Sequence, residues 1–399
     1  MSADPFQRTR AMFELPGGVV YLDGNSLGAM PKSARERVRR ELNESWGREL
    51  IRAWNTAGWI DLPAKVGDRI GALIGAPKGS VVASDSTSIN LFKALAAALE
   101  LAAPRKVVLS DTGNFPTDLY VAEGVCRLLG QGHTLKLVDP EAVEGALDEG
   151  VAVIMLTEVD YRSGRLHDMR LLTEKARALG ALVIWDLAHS AGALPVDLAG
   201  CGADFAVGCG YKYLNGGPGA PAFIYVRPDL QDCVAPALSG WMGHAAPFAF
   251  ELGYRPAPSI DRLRAGTPPV LSLAALDAAL DVFEGVNMLA LRDRSIALCE
   301  DFIHRIEAEC PELKLASPRD PKARGSQVSF RFAEGYAAMQ ALIARGVIGD
   351  FRAPDVMRFG FAPLYVGFAD VELAARTLIE IVRRRLWDRP EHHARNKVT

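Results

Sequence analysis

ALVIWDLAHSAGALPVDLAGCGADFAVGCGYKYLNGGPG, residues 181–219, holds two short apolar runs, ALVIW and ADFAVG, each followed by a polar or glycine-rich turn. Apolar runs of strand length with no polar alternation mark strands covered on both faces. The pattern continues outward in both directions. Upstream come SVVAS from Ser80, an Ala/Leu-rich helical stretch from Asn90 to Ala103, KVVLS from Lys106, a helix after Asp118, TLKLV from Thr134, VAVIML from Val151 and LLTEKARALG from Leu171. Downstream, APAFIYV begins at Ala220. Strands alternating with helices in this way predict an α/β large domain, a mainly parallel seven-stranded sheet between helices.

After Gly266-Thr-Pro-Pro the pattern loosens. A long amphipathic helical region runs from Leu271 to about Glu309, followed by QVSFRF, a helix around Ala337 to Arg345 and a last one near Leu373 to Arg385. That order suits a smaller α+β domain. The expected division is an N-terminal segment 1–65 packing with the small domain, a large domain 66–270 and a small domain 271–399. The tail WDRPEHHARNKVT reads as frayed surface, both histidines included.

At 399 residues the chain exceeds one minimal core. A composition of 49% hydrophobic and 23% charged residues places it among ordinary globular proteins rather than disordered ones. Lys plus Arg number 45 against 48 Asp plus Glu, so the net charge of -3 gives no footprint for nucleic acid or an anionic membrane and favours a small-molecule partner. RERVRR at Arg35–Arg40 reads as a solvated helix face, and Trp46, Trp54 and Trp59 as packing of the N-terminal segment against the large domain. The start, MSADPFQRTR, lacks an apolar signal region and no run is long enough to span a bilayer, so a cytoplasmic location is expected. Six cysteines without a CxxC pair predict neither a zinc site nor a disulfide framework, only reduced and mostly buried thiols.

Ligands in open α/β sheets collect beyond the carboxyl ends of the strands. After VVAS, Asp85-Ser86-Thr87-Ser88 opens a helix and offers hydroxyls and free backbone N–H groups to a phosphate, or is an ordinary helix cap. After KVVLS, Phe115 and Asp118 share one loop, where a flat ring could stack on a planar group. After ALVIW, Asp186 needs a cationic partner if buried, and a protonated pyridine nitrogen is one; His189 follows a helical turn later. After ADFAVG, Lys212 stands in a Gly-rich turn, where a desolvated amine becomes a nucleophile toward aldehydes. Each feature alone has an ordinary explanation. As a set they supply a phosphate cradle, a ring stack, an acid for the pyridine nitrogen and a lysine for the aldehyde, the four parts that pyridoxal 5'-phosphate (PLP) requires.

WDLAHSAGALPVDL followed by GYKYLNGGPG resembles fold-type I PLP enzymes of the aspartate-aminotransferase-like fold. YLDGNSLG (21–28), NFPTDLY (114–120), GCGYKYLNGGPG (208–219), SGWMGH (239–244) and RFGFAPLY (358–365) resemble segments of the kynureninases in particular. The resemblance implies a catalytic pair, Lys212 and Tyr211, with Lys212 on the cofactor aldehyde, Asp186 on the pyridine nitrogen and Phe115 on the ring. It further implies that Thr87, Ser88 and Tyr211 bind phosphate, and that Asp118, Thr157 and His189 complete the nearer surroundings. Trp241 and Thr267 match positions that reach the phosphate from the neighbouring subunit, which implies a homodimer with shared active sites. Arg358 matches the arginine that clamps the substrate α-carboxylate. The implied reaction is hydrolysis of L-kynurenine to anthranilate and L-alanine in tryptophan catabolism. Gly266 and Thr267 stand where enzymes that prefer 3-hydroxykynurenine carry polar groups, and the region Arg48 to Asn55, where those have a histidine, has none and holds the apolar Trp54 instead, which suggests a preference for unhydroxylated kynurenine.

A cysteine desulfurase of the same fold would need a nucleophilic Cys in the second domain, yet none follows Cys310, and Tyr211 stands where it usually has a His. An aminotransferase uses the same Asp, Lys and Arg, and only the kynureninase-like segments speak against it. A non-catalytic regulator would be expected to have lost one of those three residues or to carry a DNA-binding domain.

Overall fold

The computed structural model describes residues 6–396. Near the N-terminus a two-residue strand, β1 (Val20–Tyr21), leads into the turns that carry YLDGNSLG. The large sheet follows as β2 (Val81–Ala83), β3 (Val107–Asp111), β4 (Thr134–Val138), β5 (Val151–Thr157), β6 (Leu182–Asp186), β7 (Phe205–Gly208) and β8 (Phe223–Val226). Its order is β2-β8-β7-β6-β5-β3-β4, and β8 alone runs antiparallel to its neighbours. The expected seven-stranded, mainly parallel sheet is therefore present.

Strand residues alternate between two cores, one on each face. Val81, Ala83, Val183, Trp185, Ala206, Phe223 and Tyr225 face the larger core, which continues into the C-terminal region. Val82, Ile184, Phe205, Val207, Ile224 and Val226 face the other, against the helices Thr87–Leu101 and Pro116–Leu129. Because both faces are buried, the strands show no polar alternation.

A second sheet is built from β9 (Lys314–Leu315), β10 (Gln327–Arg331), β12 (Asp350–Arg352) and β13 (Val356–Gly360), in the order β12-β13-β10-β9, all antiparallel. The remaining strand, β11 (Val347–Ile348), pairs with β1 in parallel, which ties the N-terminal segment to this region. The long helical region divides into Val270–Ala279, a short turn Leu280–Phe283 and Met288–Glu309. The break falls where Gly285 takes φ 72° and Asn287 caps the next helix by accepting from the N–H groups of Leu289 (2.9 Å) and Ala290 (3.1 Å).

Several local expectations change. The tail is packed over its described residues 387–396, the last three lying outside the described residues: Trp387 and His392 are buried, the Tyr336 hydroxyl donates to the Ala394 carbonyl at 2.9 Å, and Arg395 lies over the Tyr336 ring at 4.1 Å. Arg37 of the RERVRR helix turns inward to Glu41 (2.6 Å) and to Asp277 (3.2 Å), whose carboxylate also takes Lys65 (2.7 Å) and Arg69 (2.9 Å). Trp59 is buried and donates to Glu41 at 2.9 Å, Trp54 meets it edge-on at 5.8 Å, and Trp46 stays 55% exposed rather than packing inward. Five cysteines are buried as free thiols and Cys233 is exposed. No described helix is long and apolar enough to cross a membrane.

Candidate active site

The loops beyond β2, β3, β5, β6 and β7 converge on one cavity of about 100 Å³ bounded by Thr87, Ser88, Phe115, Asp118, Thr157, Asp186, His189, Tyr211 and Lys212, with Thr117 and Tyr161 completing the wall. A neighbouring cavity of about 480 Å³ shares Thr87, Ser88 and Tyr211 and is also lined by Arg264, Gly266 and Thr267. Nine of the residues singled out from sequence thus meet on the smaller cavity.

Ser86 caps the helix Thr87–Leu101, its hydroxyl accepting from Ile89 N–H at 3.4 Å, so Thr87 and Ser88 occupy the first helical turn. Their backbone N–H groups have no intrahelical acceptor and point out at the positive end of a four-turn helix. Beneath them the fully buried Lys93 pairs with Asp85 and donates to the Leu263 carbonyl at 2.6 Å.

Phe115 is the N-cap residue of the helix Pro116–Leu129, so Asp118 belongs to the first helical turn rather than to the loop that precedes it. The Phe115 ring is 41% exposed, leaving a face open, and its edge is fixed against the Tyr161 ring at 5.1 Å. Asn114 sets the entry: its side-chain oxygen accepts from Phe115 N–H at 2.7 Å and from the Thr157 hydroxyl, while its amide donates to Ser110 Oγ at 3.0 Å.

Asp186 ends β6 with its Oδ1 accepting from Ala188 N–H at 2.8 Å. Burial, then the charge of Asp186, pushes the Asp118 carboxyl well above the usual range, and the pair shares a hydrogen bond. Asp118 is thereby the protonated member, donating to an Asp186 carboxylate. Burial also raises Asp186, and the nearby Lys212 charge opposes that rise. A second cation at Asp186 would stabilise the carboxylate further, which is what a protonated pyridine nitrogen provides.

Lys212 Nζ lies 2.8 Å from His189 Nε2. Burial, then Lys212, Arg358 and Arg352, hold the imidazole well below its usual pKa, so the neutral ring accepts from the lysine. Its proton then sits on Nδ1, an atom buried without a partner. Burial, then Cys209 and Asp186, raise the Tyr211 phenol, which therefore remains a proton donor.

Backbone bonds knit these loops together. Ser84 N–H donates to the Ala222 carbonyl at 2.8 Å, Ala222 N–H to the Asp85 carbonyl at 2.9 Å, and Gly28 N–H to the Tyr211 carbonyl at 2.8 Å. A Cβ on Gly28 would lie 2.2 Å from the Lys212 carbonyl oxygen, so only glycine lets YLDGNSLG close over the lysine loop.

The remaining expected residues lie further out. Arg358 lines neither cavity; it sits on β13, 2% exposed, bonded to Asp350, Ser26 and the Tyr161 carbonyl. Gly266 and Thr267 stand on the larger cavity, while Trp54 and Trp241 line neither, Trp241 being half-exposed and edge-on to Phe248 at 5.7 Å. Sequence reading passed over Asn114, Tyr161, Ser26 and Asp350 as site residues. Asn114 lies inside a segment that was already suspect, whereas Tyr161 bonds Arg358 through its backbone carbonyl and carries no side-chain signal for that contact.

The residues fit PLP. The smaller cavity joins the phosphate-type helix end to a lysine amine, with an open aromatic face on its wall and a buried carboxylate that lacks a full complement of positive charge.

Comparison with known proteins gives the family and the fold. The profile of the kynureninase C-terminal domain matches residues 291–378. The chain is 52% identical to a kynureninase of Pseudomonas fluorescens over 403 aligned positions, covering 99% of this chain and 97% of that protein. It is 50% identical, with the same coverage, to a kynureninase of Burkholderia pseudomallei. Its fold superposes on a cysteine desulfurase of Thermococcus onnurineus with a TM-score of 0.80 at 20% identity, covering 95% of this chain and 98% of that one. It also superposes on a variant of the cystine C–S lyase C-DES with glycine covalently linked to its PLP, with a TM-score of 0.78 at 17% identity, covering 92% of this chain and 98% of that one. Likeness at such low identity is a likeness of fold, and the fold is that of the PLP enzymes of type I.

Proposed function

The chain belongs to the kynureninase family, and from that premise we propose that it is a PLP-dependent hydrolase that cleaves the Cβ–Cγ bond of L-kynurenine to give anthranilate and L-alanine. The observation that carries this reading is 52% identity to a kynureninase over 99% of the chain, with Lys212, Asp186 and Phe115 on one cavity.

PLP bound there supplies an electron sink for negative charge at the substrate Cα. The protein's groups do the rest. Thr87 and Ser88, with their N–H groups and hydroxyls, and the Tyr211 hydroxyl hold the phosphate. Asp186 keeps the pyridine nitrogen protonated, and protonated Asp118 keeps Asp186 the only full negative charge of the pair. Thr157 and His189 border the ring, and the Phe115 face covers it and excludes water. Lys212 Nζ holds the aldehyde at rest and, once freed by substrate, takes the Cα proton; the Tyr211 hydroxyl, next along the chain, is its partner in returning protons to carbon.

In this reading Arg358 receives the substrate α-carboxylate, and Gly266, on the larger cavity, borders the aromatic end of the pocket so that unhydroxylated kynurenine is preferred, 3-hydroxykynurenine reacting more weakly. The enzyme is a homodimer in which Trp241 and Thr267 approach the partner's phosphate. Supporting the dimer is a run of exposed apolar side chains near Trp241, with Phe248 64% and Phe250 74% exposed. The segment 1–65 works with the small domain 271–399 against the large domain 66–270. The reaction belongs to tryptophan breakdown in the cytoplasm, where its hydroxylated counterpart feeds NAD biosynthesis.

The test mixes PLP-loaded protein and its Lys212→Ala variant with L-kynurenine and follows anthranilate fluorescence and alanine together. Stoichiometric release by the unaltered protein only is expected. PLP binding without anthranilate would overturn the assignment and leave an aminotransferase as the reading to test.

A further inference from the structure

Arg358 and Asp350 face each other directly across the antiparallel pair β12–β13, and Arg352 lies two residues from Asp350, on the same face of the sheet. Arg358 Nε donates to Asp350 Oδ1 at 2.6 Å and Nη2 donates to Oδ2 of the same carboxylate. This is a two-point grip on the side edge of the guanidinium, the arrangement that best fixes its plane. Ser26 completes it: its hydroxyl donates to Asp350 Oδ2 at 2.7 Å and accepts from Arg358 Nη2 at 3.1 Å. Arg352 Nη2 sits on the same Oδ2 at 2.9 Å. Asp350 and Arg358 are both buried, so neither side chain is free to drift.

A guanidinium has five N–H groups on two usable edges. Nε and one Nη2 N–H are held by Asp350, while on the outer edge the other Nη2 N–H rests on the Ser26 hydroxyl and Nη1 on the Tyr161 carbonyl, neutral acceptors that a substrate carboxylate can replace. Nη1 already points at the Tyr161 carbonyl, and the ring of Tyr161 abuts Phe115 on the cofactor cavity. The outer edge therefore faces Tyr161, a wall residue of the smaller cavity. Without Asp350 the two guanidiniums, Arg352 and Arg358, would lose the carboxylate that both contact directly.

We propose that Asp350 is a positioning residue for substrate: it grips the side edge of Arg358 while drawing Arg352 onto the same carboxylate, and so presents the outer edge of Arg358 to the carboxylate of an incoming amino acid. The proposal rests on the reading of Arg358 as the substrate clamp but does not require that the amino acid be kynurenine.

The test uses PLP-loaded protein and follows its absorbance on titration with L-alanine, which has an α-carboxylate, and with L-alaninamide, which does not. In Asp350→Asn an amide N–H₂ faces the guanidinium and one edge bond is lost; L-alanine binding weakens roughly tenfold or more, while L-alaninamide binding is unchanged. With L-kynurenine the same variant raises KM more than it lowers kcat. Ser26→Ala, which leaves the ion pair intact but loosens it, weakens L-alanine about threefold and again spares the amide. If Asp350→Asn does not fold, Ser26→Ala decides. Equal weakening of both ligands, or of neither, overturns the proposal in either variant. Loss of kynurenine turnover in the unaltered protein, with the alanine-over-alaninamide difference still abolished by Asp350→Asn, would remove the kynureninase reading and leave this one standing.

Discussion

Replacing Glu158 by Gln should make the protein more stable in alkaline solution and leave its acid stability nearly unchanged. Glu158 follows the last residue of β5, its N–H donating to the Asp186 carbonyl at 3.0 Å, and its side chain is buried with one oxygen lacking a partner. Burial pushes its carboxyl from the ordinary 4.5 to about 7, against smaller opposing effects from the Ser190 hydroxyl and the Arg292 charge. Since the folded protein holds this proton more tightly than the unfolded chain, the unfolded chain ionises first as pH rises. Stability therefore falls between about pH 4.5 and pH 7 and levels off above. At about 1.4 kcal/mol per tenfold change in proton affinity, the gap amounts to roughly 3 kcal/mol. Glu158→Gln keeps the shape, has no proton to lose, and should remove that decline. Urea titrations of both proteins, without PLP and at several pH values, measure it: the two unfolding free energies should lie close together near pH 4 and diverge toward pH 8, with the variant the more stable. Curves that stay parallel across this range would refute the assignment of a neutral, buried Glu158.

At the cofactor end, Asp186→Asn should weaken PLP binding by roughly tenfold to a hundredfold, the worth of a hydrogen bond to a charged partner, whereas Asp118→Asn, which imitates the protonated acid found there, should cost less than tenfold. Equilibrium dialysis against PLP separates the two, and equal losses would contradict the proton placement. Trp387→Ala should destabilise the protein by about 3 kcal/mol, as for other buried aromatic truncations, because Trp387 is buried against Phe332 at 5.9 Å. Denaturant midpoints measure this, and an unchanged midpoint would restore the picture of a loose tail.

How much of this was legible beforehand follows from how each feature is encoded. The large sheet was readable because burial on both faces removes polar residues from every central strand, and ALVIW or ADFAVG admits few other readings. The smaller cavity was readable because its residues follow strand ends, so sequence position stands in for spatial position. Asp350 was not: its importance comes from lying opposite Arg358, and strand register is written in the turn between them rather than in either residue. Tyr161 acts through a backbone carbonyl, which every residue possesses. The tail misled because one Trp anchors an otherwise charged segment, and local composition outweighed it. Asp118 was assigned to the wrong side of a helix start because Pro116, a favoured first-turn residue, was taken as a turn residue instead.

The bonds between Ser84, Asp85 and Ala222 join the loop after β2 to the lysine loop at backbone level. Because β8 runs antiparallel between β2 and β7, the lysine loop leaves and re-enters the sheet at the same end of the strands. Those two jaws work as a caliper whose opening is set by peptide geometry instead of by rotamers. A molecule must match that span to touch both, whatever the side chains around it become. New substrates can then be explored by changing residues on the second sheet, while the gauge that measures the cofactor stays untouched.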